Sequence, residues 1–360
     1  EKGVKGFRFD VVNLISKPDK YENDCEGDGR RFYTDGMHVH EYLKELVKDT
    51  GIEDMITVGE MSSTSLDNCI RYSNPEEKEL SMCFNFHHLK VDYKNGNKWE
   101  LMDTDRKELK RLFEEWQIGM QEHNGWNSLF WCNHDQPRIV SRMGNEKDYW
   151  KQSAKMLAAA VHLMRGTPYI YQGEEIGMPN AHFKDIADYR DVESLNYYEI
   201  LLKEGKTKEE AIKTLQERSR DNSRTPMQWS DEENSGFSDV TPWISVPDHY
   251  EEINVENELK DQDSIYYFYK KLIGLRKEKE VIQEGTIEFF EKEDDDLLAY
   301  ERNYKEEHLV VLNNLTERKK EVEIPQLWTS YHKLIGNYDT ENIKENKVVL
   351  RPYETLVLEK

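Results

Sequence analysis

From its start to about residue 280 the chain alternates short apolar runs with longer amphipathic stretches, which restricts it to repeated β/α units on a parallel sheet. Strands are expected at residues 4–11, 55–61, 80–86, 129–133 and 168–171. Helices are expected at 38–48, 65–72, 105–116 and 149–165; in the last, Ala154, Leu157, Ala158, Val161 and Met164 recur at helical spacing. Residues from about 173 to 263 read as a polar, loop-rich excursion, long for a connection inside a compact domain and therefore a place for function. A helix at 266–281 follows. Runs at 286–290, 297–300, 309–312 and 348–350 then read as strands of a small antiparallel β domain. The expected division is one α/β unit over residues 1–280 and a β domain over 281–360.

The 360 residues carry 72 acidic and 50 basic side chains, a formal charge of −22. Such a field repels nucleic acid and anionic membranes unless basic groups are locally concentrated. No apolar window is long enough to span a bilayer, and the opening EKGVKGFRFD lacks the regions of a secretory signal. Cys25, Cys69, Cys83 and Cys132 are widely spaced and form no CxxC pair, so free thiols in a reducing cytoplasm are expected. The polar loop at 23–29 lacks the spacing and terminal glutamate of a calcium-binding loop. The sequence calls for no metal and no cofactor.

Three motifs carry chemistry. In Gly6-Phe7-Arg8-Phe9-Asp10 the two-residue period of a strand puts Arg8 and Asp10 on one face and the aromatics on the other. An inward Arg and Asp must pair, either as a structural ion pair or to keep a nucleophilic carboxylate ionised. Ile56-Thr57-Val58-Gly59-Glu60 is a second strand ending in a carboxylate, at the edge where barrel enzymes place reactive groups. Phe130 to Arg138 (FWCNHDQPR) clusters polar groups after an apolar run; His134-Asp135 there could equally be a turn or helix cap.

Taken together, GFRFD, TVGE and NHD resemble the second, third and fourth conserved regions of the α-amylase superfamily. The resemblance implies that Asp10 is the nucleophile, Glu60 the general acid/base and Asp135 a carboxylate that binds sugar hydroxyls. It implies that Arg8 orients Asp10, that His134 hydrogen-bonds the glucose unit and that Arg138 reinforces that subsite. A retaining mechanism suits carboxyl groups about 5 Å apart and a Glu60 in surroundings that raise its pKa.

Residues 167–178 (TPYIYQGEEIGM) and 218–229 (RSRDNSRTPMQW) resemble the oligo-1,6-glucosidase branch, as does Val11 after the nucleophile. By that analogy Glu193 and Arg220 line the leaving-group subsite, or else order a loop as ion pairs. Residues 29–36 (GRRFYTDG) and 87–93 (HHLKVDY) resemble the trehalose-6-phosphate hydrolases of that branch. The implied substrate is a small sugar phosphate, cleaved to glucose and glucose 6-phosphate. His87, Lys90 and Lys98 would then supply the donors that a dianionic phosphate needs in an acidic chain; alternatively the lysines are solvated and His87 is packed.

A closed (β/α)₈ barrel has eight strands, and only five precede the β-rich tail. The expected fold is therefore a partial TIM barrel, from about its fourth strand to its eighth, followed by the antiparallel β domain. As written, such a chain is expected to be inactive.

Overall fold

The structure, a computed structural model, describes residues 3–340 and 343–360. A strand forms at each of the five expected places: β1 (Gly6–Phe9), β2 (Ile56–Glu60) and β3 (Met82–Phe84) lie inside their expected runs, whereas β4 (Ser128–Leu129) and β5 (Thr167–Pro168) start one residue early and share only Leu129 and Pro168 with theirs. They lie in chain order and parallel. β1 pairs with β2, β2 with β3 and β4 with β5, and a single Cys83–Asn127 bridge joins the two sets. Among the described residues β1 pairs only with β2, and β5 only with β4.

Helices alternate with these strands: α1 (Val39–Thr50), α2 (Leu66–Ser73), α3 (Arg106–Glu122), α4 (Ile139–Met143) and α5 (Trp150–His162). Their starts are set by local chemistry. Ser65 caps α2 by accepting from the Asn68 amide, and Asp105 caps α3 through Glu108, each satisfying a backbone donor with no partner in the helix. In α5 the run Met156 to Val161 is buried on all sides, with Ala158, Ala159 and Ala160 fully enclosed, because small side chains let the sheet and other helices approach closely.

The excursion after residue 173 differs from the expected loop. It holds α6 (Val192–Lys203), α7 (Lys208–Arg218) and α8 (Val255–Lys260). Thr207 and Glu210 form a reciprocal capping box that starts α7. Tyr198, Leu201, Ala211, Ile212 and Leu215 pack with Trp99 into a core of their own. The overall polarity of the stretch hides this small apolar seam.

The expected helix at 266–281 is two: α9 (Ile265–Glu278) and α10 (Glu280–Glu284), separated by an extended Lys279. Among the described residues eight antiparallel strands follow: β6 (Thr286–Phe290), β7 (Leu297–Tyr304), β8 (Glu307–Asn314), β9 (Lys320–Glu323), β10 (His332–Gly336), β11 (Ile343–Lys344), β12 (Lys347–Leu350) and β13 (Thr355–Glu359). One sheet runs β10-β13-β8-β7-β6, the other β11-β12-β9. Along β7 the side chains alternate between two cores. Leu298 and Tyr300 face the helices of the α/β unit, whereas Leu297 and Ala299 face the second sheet. The expected boundary at 281 is therefore crossed by a continuous core. Buried Arg302 fastens it further, its guanidinium donating to the carbonyls of Leu163, Ile282, Gly285 and Thr286.

Candidate active site

The parallel register sets Phe9 opposite Gly59, so Asp10 and Glu60 follow as neighbours at the C-terminal ends of β1 and β2. Arg8 lies between them. Its Nη1 donates to Asp10 Oδ1 at 2.6 Å, and its Nη2 donates to Glu60 Oε2. Strand periodicity pairs Arg8 with Asp10 alone; in the structure one guanidinium serves both carboxylates. Asp10 is largely exposed, its side chain 72% accessible, whereas Glu60 is 12% accessible.

The backbone around this pair is strained and braced. Val11 sits at φ 38°, in the left-handed region that a β-branched residue avoids. Asn13 donates to the Ser62 carbonyl at 2.9 Å and accepts from the Ser62 amide at 2.8 Å, tying the loop after Asp10 to the loop after Glu60. Asp35 holds Asn13 at 3.0 Å and Tyr72 Oη at 2.6 Å. Sequence reasoning passed over Asn13.

Asp135 lies beyond the end of β4, its amide turned back on Asn133 Oδ1. Arg224 Nη2 donates to Asp135 Oδ1 at 2.7 Å, and Arg224 Nε donates to the His134 carbonyl at 2.8 Å. Arg220 Nη1 stands 3.5 Å from the same Asp135 oxygen, and His134 Nε2 3.7 Å from Oδ2. Arg224 was not among the expected site residues. The one signal for it was its place four residues after Arg220 in the quoted RSRDNSR segment.

A cleft of about 190 Å³ opens among Arg8, Glu60, Cys132, His134, Tyr169 and Tyr171, with Phe84, Phe86 and Phe130 as its apolar wall. Phe84 meets Phe130 edge-on at 5.0 Å and Tyr169 at 4.7 Å, so the wall is rigid. Arg8, Glu60 and His134 thus share one cleft, while Asp10 and Asp135 adjoin it through Arg8 and His134.

Other expected site residues fall elsewhere. Arg138, 1% exposed, lies behind Tyr171 and outside the cleft lining; it donates to the carbonyls of Gln172 at 2.6 Å and Asn222 at 3.3 Å, and burial lowers its pKa. It scaffolds the cleft from the rear. His87 stacks on Trp116 at 4.9 Å with Nε2 on the Thr64 carbonyl, and burial lowers its pKa too, so the packed alternative describes it. Lys90 is exposed and has no carboxylate partner among the described residues. Desolvation and then the nearby Arg30 pull its ammonium below the usual lysine value. Lys98 Nζ donates to Glu193 Oε2 at 2.8 Å. Arg220 Nε lies 3.0 Å from that oxygen, off the hydrogen-bond direction, giving a chain Lys98–Glu193–Arg220–Asp135. Among the described residues no group of three or more His, Cys, Asp or Glu side chains could hold a metal, and no helix is long and apolar enough to cross a membrane.

Behind Tyr171, Glu174 is buried and accepts from the Tyr171 amide at 2.7 Å. Burial pushes its carboxyl up from 4.5 to about 8. The folded state keeps that proton where the unfolded chain has lost it, so this stabilisation is full below about pH 4.5 and is lost as pH rises through 8. Glu174→Gln should flatten the fall, leaving the variant more stable than the parent at pH 9 by up to about 5 kcal/mol. Urea unfolding at pH 5 and pH 9 measures it; parallel pH profiles for the two proteins would count against a protonated Glu174.

Residues 1–285 match the model of the α-amylase catalytic domain, and residues 297–357 that of the α-amylase SusG C-terminal domain. The chain is 51% identical to the trehalose-6-phosphate hydrolase of Bacillus subtilis strain 168 over 99% of its length and 64% of the relative's. It is 43% identical to the oligo-1,6-glucosidase of Bacillus cereus over 99% of its length and 65% of the relative's. It superposes on the crystal structure of Bacillus licheniformis trehalose-6-phosphate hydrolase with TM-score 0.95 and 53% identity, over 99% of this chain and 65% of that one. The chain therefore spans just under two thirds of the length of these relatives.

Proposed function

Because the chain belongs to the α-amylase family, we propose that it carries the catalytic carboxylates of a retaining α-glycosidase that cleaves α,α-trehalose 6-phosphate to glucose and glucose 6-phosphate. In this reading the five parallel strands are the fourth to eighth of a (β/α)₈ barrel, whose C-terminal edge is where such enzymes react. The observation that carries it is the pair Asp10 and Glu60 side by side on Arg8 at that edge.

Asp10 attacks the anomeric carbon as the bond to the leaving oxygen breaks, and Glu60 gives its proton to that oxygen, releasing glucose 6-phosphate. Water, deprotonated by Glu60, then displaces Asp10 from the glucosyl carbon with net retention. The Arg8–Glu60 contact must loosen for Glu60 to hold a proton, while the Arg8–Asp10 hydrogen bond orients the nucleophile. Asp135, steadied by Arg224, receives sugar hydroxyls together with His134.

The phosphorylated substrate is supported by the unpaired Lys90 beside Arg30 and by greater identity to the trehalose-6-phosphate hydrolase than to the oligo-1,6-glucosidase. The second reading, an oligo-1,6-glucosidase type of enzyme on uncharged α-glucosides, is favoured by Glu193, which already engages Lys98 and stands beside Arg220. Rates on trehalose 6-phosphate, trehalose and isomaltose separate the two. In an active enzyme containing these residues, Lys90→Ala with Lys98→Ala should raise KM for trehalose 6-phosphate by about 100-fold, as for loss of two charged hydrogen bonds. An uncharged aryl α-glucoside should change little; equal losses on both would make the lysines structural.

A further inference from the structure

We infer that Asp92, which lies outside the cleft, is a positioning residue for the leaving-group side of the site; this rests on the functional reading above. Asp92 is 2% exposed and is gripped by two arginines. Arg142 donates through Nη2 to Oδ1 at 2.6 Å and through Nε to Oδ2 at 2.7 Å. Arg218 donates through Nη1 to Oδ2 and through Nη2 to the Asp92 carbonyl at 2.9 Å. Both guanidiniums also lie over the Tyr93 ring. One buried carboxylate thus faces two buried cations, with Arg218 Nε left unpartnered.

Each member of the triad belongs to a segment that delivers side chains to the site. Asp92 lies between Lys90 and Lys98. Arg142, on α4, also donates to the Leu89 carbonyl, next to Lys90, and to Gln136 Oε1 at 2.9 Å, next to Asp135. Arg218 ends α7, and the chain turns there through Ser219, whose hydroxyl caps the segment holding Arg220 and Arg224. Those two arginines are the ones on Asp135. Among the described residues no side-chain hydrogen bond or ion pair runs from the triad to β1 or β2, at whose ends Asp10 and Glu60 sit. The triad therefore fixes three segments relative to one another, those bearing Lys90 and Lys98, Asp135, and Arg220 and Arg224, with two of the three on the leaving-group side.

Removing the charge of Asp92 leaves Arg142 and Arg218 to repel each other inside the protein, and the segment that Arg218 leads into, residues 218–224, shifts. In an active enzyme containing these residues, Asp92→Asn should lower kcat/KM for trehalose 6-phosphate by about 100-fold, mostly through KM, the cost of displacing a binding group by about 1 Å. An uncharged aryl α-glucoside should lose far less. Arg218→Lys keeps the charge but cannot span the carboxylate and the carbonyl together, so it should show a smaller loss of the same kind and remain folded. If Asp92→Asn does not fold, Arg218→Lys decides. Equal losses on both substrates, an unchanged KM for the phosphorylated one, or failure of both variants to fold would each make the triad merely structural and overturn the inference. A parent enzyme inactive on trehalose 6-phosphate would instead sink the functional reading itself.

Discussion

Replacing Asp10 by Asn, or Glu60 by Gln, in an active enzyme containing these residues should abolish hydrolysis, by on the order of 10⁴-fold or more in kcat. The two losses should differ in kind. Without Asp10 no covalent intermediate forms, and every substrate is affected alike. Without Glu60 the first step still proceeds when the leaving group needs no proton, so an activated aryl glucoside or glucosyl fluoride should keep a much larger share of its rate than trehalose 6-phosphate. Azide extends the contrast. With Asp10 shortened to Gly, azide can take the nucleophile's place and give the inverted β-glucosyl azide; with Glu60→Ala, it can intercept the glucosyl enzyme and give the α-azide. Proton NMR of the anomeric signal distinguishes the two products. The opposite pairing of variant and product would exchange the roles of the two carboxylates.

The second large effect concerns stability. The 360-residue polypeptide, expressed alone, should show no cooperative thermal transition and no measurable turnover. In the structure β1 and β5 each pair on one side only among the described residues, leaving rows of backbone donors and acceptors without partners. Val4, Phe7 and Ile56 around β1 are about half exposed, unlike the enclosed strand of a packed barrel. Asp10 shares that exposure, and water around a nucleophile weakens the field that steers it. Calorimetry and a hydrolysis assay, run beside a protein that also supplies strands pairing with β1 and β5, would show the difference. A sharp transition and equal turnover from the 360 residues alone would mean that the open edges cost little.

The parallel strands, the antiparallel β6, β7, β8 and β12, and the helices α1, α2, α3, α5 and α9 were legible because their signal is periodicity, which sterics and burial impose locally. Thus Ala154, Leu157, Ala158, Val161 and Met164 mark α5 without any knowledge of its neighbours. Asp10 and Glu60 could be placed at strand ends for the same reason. What was hidden depends on partners far along the chain. The helices α6 and α7 owe their burial to one another and to Trp99, so a polar average over the stretch concealed them. Arg8 reaches across to Glu60 only because β1 and β2 pair in a particular register. Arg138 has the charge of a subsite residue, yet its donors go to the carbonyls of Gln172 and Asn222, and nothing in its local sequence distinguishes the two fates. The histidine pair divides similarly. His88 is buried with Nε2 donating to the Phe130 carbonyl and its pKa pushed down to about 4, while His87 packs on Trp116.

Retention by this route requires that Asp10 become covalently glucosylated. The most direct measurement is peptide mass spectrometry of an active enzyme containing these residues after reaction with a fluorinated glucosyl fluoride that forms the intermediate readily and hydrolyses it slowly. A single added sugar is expected on the peptide bearing Gly6 to Asp10, lost in Asp10→Asn and prevented by prior addition of trehalose 6-phosphate. A label on any other carboxylate, or no label together with release of the β-anomer of glucose, would contradict it.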